Sequence, residues 1–288
     1  MDNTKNPFQI NNLPNKTYEI QVLVSWNDIS EAEEAVLKKE GQSLEIKGFR
    51  KGMAPNNLVR ETLGDQKLLQ IILGEILPEL YQKAVAQFNL KPIVNPKIEL
   101  VSAKENEDWQ IKLTTCEEPE INLSDYREQI KKALPVKAEI WTPGEKKDDK
   151  EKEDKNKRAG LILDWLVQNI KVGMSRLLIE DEVSRKLSQL LEEIQKLGLT
   201  LENYLSSTGK TVETVKDEYA KSAERSLASE FILGKIADME KISVSDEDLN
   251  KMLSEAKSEA ERKTMENQKY YIAILLRRQK TLDFLSDL

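Results

Sequence analysis

The chain has 288 residues, of which 33% are charged, 39% hydrophobic and 6% aromatic, and its formal net charge is −7. This length is enough for two domains with sizeable cores. The composition favours long helices with solvated faces over an aromatic-rich β-sandwich. The negative charge disfavours nucleic-acid binding through the body of the protein, so any such contact must be local.

The chain contains no histidine and one cysteine, Cys116. The absence of histidine excludes the histidine-dependent serine and cysteine nucleophiles and most zinc sites. A single cysteine cannot form an internal disulfide and indicates a reducing compartment. The N-terminal residues lack the apolar core of a leader, and no stretch approaches the ~20 apolar residues of a membrane span. We expect a cytoplasmic protein without membrane contact or cofactor.

The first structured segment has a strand pattern and is followed by a helix. Tyr18–Val24 has apolar residues at every second position, which is typical of a half-buried strand. In the next segment Asp28 or Ser30 is the predicted N-cap of a helix, and Glu33 completes a capping box after Ser30.

A basic and aromatic octapeptide comes next, with the sequence Gly48-Phe49-Arg50-Lys51-Gly52-Met53-Ala54-Pro55. Gly48 and Gly52 each permit positive φ and therefore a tight turn. Between the glycines, Phe49 can insert or stack, while Arg50 and Lys51 can pair with phosphates or carboxylates. For this segment alone, a solvated basic turn is the more common interpretation.

A long helical stretch follows the octapeptide, and we expect Pro78 to kink it. Ile98–Val101 and the alternating segment Trp109–Thr115 then predict a β-hairpin. Strands and helices mixed in this order predict an α+β domain, which we assign to residues 1–135.

Between Glu145 and Arg158 every residue except Asn156 is charged, with the two signs interspersed. Such a segment cannot bury apolar surface, so it is either a solvated linker or a fully exposed helix. Because Pro143 precedes it and Gly160 follows it, we interpret residues 136–160 as a linker.

Residues 161–288 have no strand pattern and no proline. An apolar stripe that begins at Ile179 ends at Gly198, a typical residue after a helix C-terminus. A capping box at Ser245–Asp248 predicts the start of a very long helix that extends through Leu282. We expect an all-α domain whose helices are longer than a compact bundle needs.

The octapeptide forms a predicted loop between two helices of an α+β domain. In this setting it resembles the ribosome-docking signature of trigger factor, a family of bacterial ribosome-associated chaperones. Further similar segments are Glu75–Ala84, Leu90–Pro92, Asn95–Glu99, Gly198–Leu205, Thr208–Thr211 and Ile242–Glu247. The resemblance implies docking on ribosomal RNA and protein near the nascent-chain exit, through Gly48, Phe49, Arg50, Lys51 and Gly52.

Two features depart from the family pattern. Met53 stands where the family's loop usually has a second basic residue. The prolyl-isomerase domain that the family commonly carries has no room between Tyr126 and Leu161, because that connector is too short for a domain of ordinary size. We therefore expect that the chain is not an enzyme.

The resemblance places client binding among the helices without selecting residues. Methionine is flexible and polarizable, which suits promiscuous apolar binding. The candidate client-binding residues are Met174, Leu178, Met239, Met252, Met265, Ile274 and Leu275. For each methionine taken singly, core filling is the more common role.

With these features, the resemblance implies an ATP-independent holdase that docks on the ribosome, shields unfolded or nascent polypeptides and assists folding. The alternative is a structural helical homo-oligomer in which the loop is an incidental turn. The sequence leaves open whether the chain forms a homodimer.

Overall fold

The computed structural model describes residues 6–135, 147–254, 256 and 258–288. The chain divides into two compact units. The first consists of the segment up to Glu118 together with the separate short segment Ser175–Leu178, and the second comprises Pro119–Met174 and Ile179–Leu288. Within the described ranges, every helix is too short or too polar to cross a membrane.

The first unit is a four-stranded antiparallel sheet with three helices. Its elements are β1 (Phe8–Leu13), β2 (Thr17–Val24), α1 (Trp26–Gly41), α2 (Asn56–Leu63), α3 (Asp65–Gln87), β3 (Lys97–Ser102) and β4 (Trp109–Cys116). The strand order is β1-β2-β4-β3. The predicted strand and the predicted hairpin are confirmed, whereas β1 lies in a polar segment that sequence patterns did not identify as a strand.

The sheet buries one face through the period-two pattern of its central strands. Ile20, Val22 and Val24 alternate along β2 and are buried, and Ile111 and Leu113 do the same on β4. Residues of α1, α2 and α3 belong to the same apolar cluster. The unit is therefore a sheet with one face packed against helices.

The first helix begins earlier than the sequence predicted. Its N-cap is Ser25, whose hydroxyl accepts a hydrogen bond from the N–H of Asp28 at 3.2 Å, so the prediction of Asp28 or Ser30 was wrong. Ser25 has an extended backbone and directly follows β2, so the chain passes from strand to helix within one residue. The third helix, α3, is continuous through Pro78.

The remaining described elements are helices, which the sequence predicted for residues 161–288. They are α4 (Tyr126–Ala133), α5 (Lys147–Asn169), α6 (Arg176–Lys196), α7 (Leu201–Thr208), α8 (Val212–Met239), α9 (Asp246–Ser254), α10 (Glu259–Asn267) and α11 (Lys269–Ser286). Apolar residues of α4, α5, α8 and α11 form a hydrophobic cluster of the second unit.

The charged segment is helical from Lys147 onward, because α5 runs through it and through Gly160. Of the two alternatives for this segment, a solvated linker and an exposed helix, residues 147–160 form a helix, and the remaining part of the assigned linker, 136–146, lies outside the described residues. At Gly160 an added Cβ would have open space, so nothing in the packing requires a break there.

The predicted very long final helix is three helices, α9, α10 and α11. Its predicted start is right: the Ser245 hydroxyl accepts from the N–H of Asp248 at 3.2 Å, and the Ser245 N–H donates to the Asp248 carboxylate at 2.8 Å. A second N-cap, Ser258, accepts from the N–H of Glu261 and starts α10. This local cap competes with helix continuation.

The segment that contains α4 packs with the second unit, although we assigned it to the first domain from the sequence. Ile130 is fully buried in the helical cluster. The Tyr126 hydroxyl donates to the Glu240 carboxylate at 2.6 Å, and Arg127 Nε donates to the same group at 3.0 Å. Burial, followed by the Glu240 bond, raises the pKa of Tyr126 to about 12.

We predict that Glu240 makes stability depend on pH. The hydrogen bond from Tyr126, followed by those from Arg127, holds the pKa of Glu240 below its usual value. Its contribution is therefore complete above the unfolded pKa of about 4.3 and is lost as the pH falls through the lower folded pKa. Glu240→Gln should cost about 1–3 kcal/mol at neutral pH, the usual effect of losing charged hydrogen bonds, and less in acid.

Urea unfolding followed by circular dichroism at several pH values measures this effect. Glu247→Gln removes an exposed carboxylate at the start of α9 and serves as the matched control. Parallel pH profiles for the two variants would show that the contacts of Glu240 do not contribute.

Candidate functional site

The octapeptide lies between α1 and α2, as the sequence predicted. Both of its glycines have a left-handed backbone, with φ of +92° at Gly48 and +80° at Gly52. Residues with a Cβ rarely adopt these values. The N–H of Gly52 donates to the carbonyl of Gly41 at 3.1 Å, which anchors the loop to the end of α1.

The tip of the loop exposes an aromatic ring, a thioether and two cations. Phe49 is 44% exposed and Met53 is 72% exposed, and Arg50 and Lys51 are exposed as well. Lys51 Nζ lies 2.9 Å from a carboxylate oxygen of Glu45. Since both partners are largely exposed, this ion pair contributes about 0–1 kcal/mol and leaves Lys51 able to exchange partners.

Arg50 is the more available of the two cations, because it forms no ion pair with any described residue. Its guanidinium carries five donors in a planar fork, which matches a carboxylate or a phosphate. The five residues predicted for ribosome docking, 48–52, thus lie together on one exposed turn. Met53 adds an exposed apolar side chain beside them.

The seven candidate client-binding residues separate into buried and exposed groups. Met174 (8% exposed) and Leu178 (6%) are buried, so the core-filling alternative describes them and they offer no binding surface in this conformation. Exposed or half-buried positions are Met239, Met252, Met265, Ile274 and Leu275.

Two of the exposed candidates belong to a larger apolar surface on α11. Tyr270 is 82% exposed and Tyr271 is 60% exposed, and each lies four residues before Ile274 or Leu275. This spacing places the four side chains on neighbouring positions of one helix face, which we call the α11 patch. Sequence analysis missed the tyrosines, although the two adjacent i, i+4 apolar pairs were visible.

The described side chains offer no arrangement that suggests metal chemistry. Among them, no group of three or more acidic or cysteine residues is placed to hold a metal ion. The single cysteine, Cys116, is buried on β4.

Comparison with known families matches nearly the whole chain. The family described as bacterial trigger factor protein (TF) matches residues 7–148, and the family described as bacterial trigger factor protein (TF) C-terminus matches residues 123–286. The two matches overlap at residues 123–148, so no residues lie between them.

Curated relatives are similar over up to half of the chain. Trigger factor from Streptococcus agalactiae serotype III (strain NEM316) is 30% identical over 144 residues, which are 50% of this chain and 33% of that protein. Trigger factor from Streptococcus suis (strain 05ZYH33) is 31% identical over 128 residues, 44% of this chain and 29% of that protein. The chain thus spans about a third of the length of these relatives.

A solved structure from work on promiscuous substrate recognition in folding and assembly activities of the trigger factor chaperone has a similar fold. Its TM-score is 0.63, and the alignment covers 97% of this chain and 99% of that one. The sequence identity is 14%, so this similarity concerns the fold alone.

Proposed function

Because the chain belongs to the trigger factor family, we propose that it is an ATP-independent chaperone that docks on ribosomes and shields unfolded or nascent polypeptides. The observation that carries this proposal is the loop tip, where Phe49, Arg50 and Lys51 are exposed together between two glycines of positive φ. The cytoplasm, expected from the sequence, is the corresponding site of action.

Docking through this tip is reversible on energetic grounds. Arg50 and Lys51 would contact ribosomal RNA phosphates or a carboxylate of a ribosomal protein near the nascent-chain exit. Each such charged hydrogen bond contributes about 1.5–3 kcal/mol to the binding free energy, and burial of the Phe49 ring adds a hydrophobic contribution. A factor that must later leave the ribosome is suited to a contact of this size.

Clients would bind to exposed apolar surface on the helices, with the α11 patch as the main contact. A contiguous apolar patch on a soluble protein is typical of an interaction site. Tyrosine provides large contact area at low cost in conformational entropy, and the exposed Met239 and Met252 can adapt to unlike sequences.

We propose that the first unit places the helical unit near the nascent chain, which keeps the functional division predicted from the sequence. The structural boundary differs, because Tyr126 and Ile130 pack in the helical cluster. A fragment that starts at Leu161 would lack both residues and part of α5, so the experiments below use the whole chain.

The first test replaces Phe49, Arg50 and Lys51 together with alanine. Ribosome association should be lost while the fold is retained, since all three side chains are exposed. Co-sedimentation with ribosomes measures this loss. Binding of the unmodified chain should also weaken as salt rises, because its strongest contacts are ionic.

Lys131→Ala with Lys132→Ala removes two exposed cations from α4 and is the charge-matched control. Undiminished co-sedimentation of the triple variant at low salt contradicts the assignment of the tip. A stable oligomer that never sediments with ribosomes supports the structural alternative instead.

The second test concerns the α11 patch. Replacement of Tyr271, Ile274 and Leu275 with serine should strongly reduce the suppression of aggregation of a refolding client without nucleotide, because it removes the exposed apolar area. Leu197→Ser with Leu199→Ser changes two exposed leucines elsewhere and should have little effect. Equal losses in both variants, or no loss in the first, would show that the patch is not the client site.

The third test is enzymatic. We expect the purified chain not to accelerate cis/trans isomerisation of an Xaa-Pro peptide. The uncatalysed barrier is about 18–20 kcal/mol, and lowering it requires a pocket that holds the twisted amide. The N- and C-terminal family regions overlap at residues 123–148, so no residues lie between them where the family commonly has its isomerase domain. Saturable turnover in a protease-free preparation would refute this expectation.

A further inference from the structure

An apolar groove lies between α3 and the β3–β4 hairpin of the first unit, and its lining residues belong to neither the loop tip nor the α11 patch. Its volume is about 590 Å³. Leu73, Leu77 and Pro78 line it from the helix, and Ile98 and Leu113 line it from the hairpin. Leu77 and Leu113 are buried at its floor, whereas Ile98 is about half exposed at its edge. The groove therefore has a closed apolar floor and an open rim.

The rim of the groove is polar but uncharged. Gln70, Gln82 and Asn95 contribute amide side chains, each of which can donate and accept hydrogen bonds. Among the described residues that line the groove, none is charged, although a third of the chain is charged. A charged group that entered this groove would lose hydration without gaining an ionic partner, so the lining selects against charge.

One backbone group beside the floor also lacks its usual helical partner. Pro78 has no N–H, so the carbonyl of Gly74 cannot accept the hydrogen bond that a helix normally supplies from four residues later. Gly74 itself lines the groove. Gly74, which has no side chain, therefore contributes only backbone to the wall of α3.

We propose that this groove binds an extended, uncharged apolar segment of an unfolded polypeptide. Apolar side chains of the segment occupy the floor, and its backbone amides bond to the rim amides of Gln70, Gln82 and Asn95. The neutral lining complements a neutral segment, and the mixed donors and acceptors match a peptide backbone. This adds a second client surface, on the first unit, to the function proposed above.

A second copy of the chain is a poorer occupant. The adjacent edge strand, β3, begins with an exposed lysine, Lys97, directly after Pro96, and it has a bulge between Leu100 and Ser102. Charge, proline and bulges at an edge are the features that disfavour pairing between sheets of two molecules.

The test measures binding of a short dansyl-labelled peptide of Val, Ile, Leu and Gln to the full chain by fluorescence anisotropy. Gly74→Glu places a carboxylate in the groove and should weaken binding about tenfold or more. A Cβ at Gly74 meets no atom within 4 Å, and glutamate is a better helix former than glycine, so the fold is retained. Gly160→Glu is the same change at an equally open position of α5 and should leave binding unchanged.

A second variant reports occupancy directly. Gln82→Cys, labelled with an environment-sensitive dye, should respond to the peptide; the native Cys116 is buried and will not compete for the label. The proposal is overturned if Gly74→Glu binds as tightly as the unmodified chain, if Gly160→Glu loses as much, or if a peptide with two aspartates binds equally well. It is also overturned if Gly74→Glu dissolves a dimer of the unmodified chain and peptide has no effect.

The assay contains no ribosomes, which separates this proposal from docking. A chain that binds peptide but not ribosomes refutes docking alone, and one that binds ribosomes but not peptide refutes the groove alone. Retained client binding in the α11 variant, together with sensitivity to Gly74→Glu, would refute the patch and leave the groove supported.

Discussion

The pleat of β2 is the constraint on which the placement of the loop tip depends. Its residues Ile20, Val22 and Val24 are buried, and it pairs with β1 on one side and β4 on the other. A shift of its register by one residue would move all three side chains into solvent. Because Ser25 alone separates β2 from α1, the strand also fixes where α1 starts and hence where its far end, at Gly41, presents the loop.

The local patterns of the first unit were sufficient to predict its main elements. Alternation identified β2 and the β3–β4 hairpin, and the glycine-bracketed octapeptide identified an exposed turn between helices, because both signals arise from residues close in the sequence. The strand β1 was missed because its apolar residues Phe8 and Ile10 stand in a mostly polar segment, where the alternation is weak. The segment is recognisable as a strand only from its pairing with β2.

The second unit shows where sequence reasoning reaches its limit. The packing of Ile130 against the helical cluster joins residues far apart in the sequence, so no local pattern could place α4. The division of the last segment into three helices depended on a cap at Ser258 within a charged stretch that reads as continuous helix. The burial of Met174 and Leu178, against the exposure of Tyr270 and Tyr271, is likewise decided by tertiary contacts rather than by residue type.

In the proposed docking, the contact between Lys51 and Glu45 would make binding an exchange reaction rather than a simple association. When Lys51 takes an external anion it gives up an internal carboxylate 2.9 Å away, so the number of ion pairs does not rise and only the difference between the two anions remains. An isolated carboxylate offers Lys51 almost no advantage over Glu45. A dense array of phosphates does offer Lys51 an advantage over Glu45, because binding to it also releases counterions. A weak internal competitor of this kind would favour phosphate-rich surfaces over isolated carboxylates in the proposed docking.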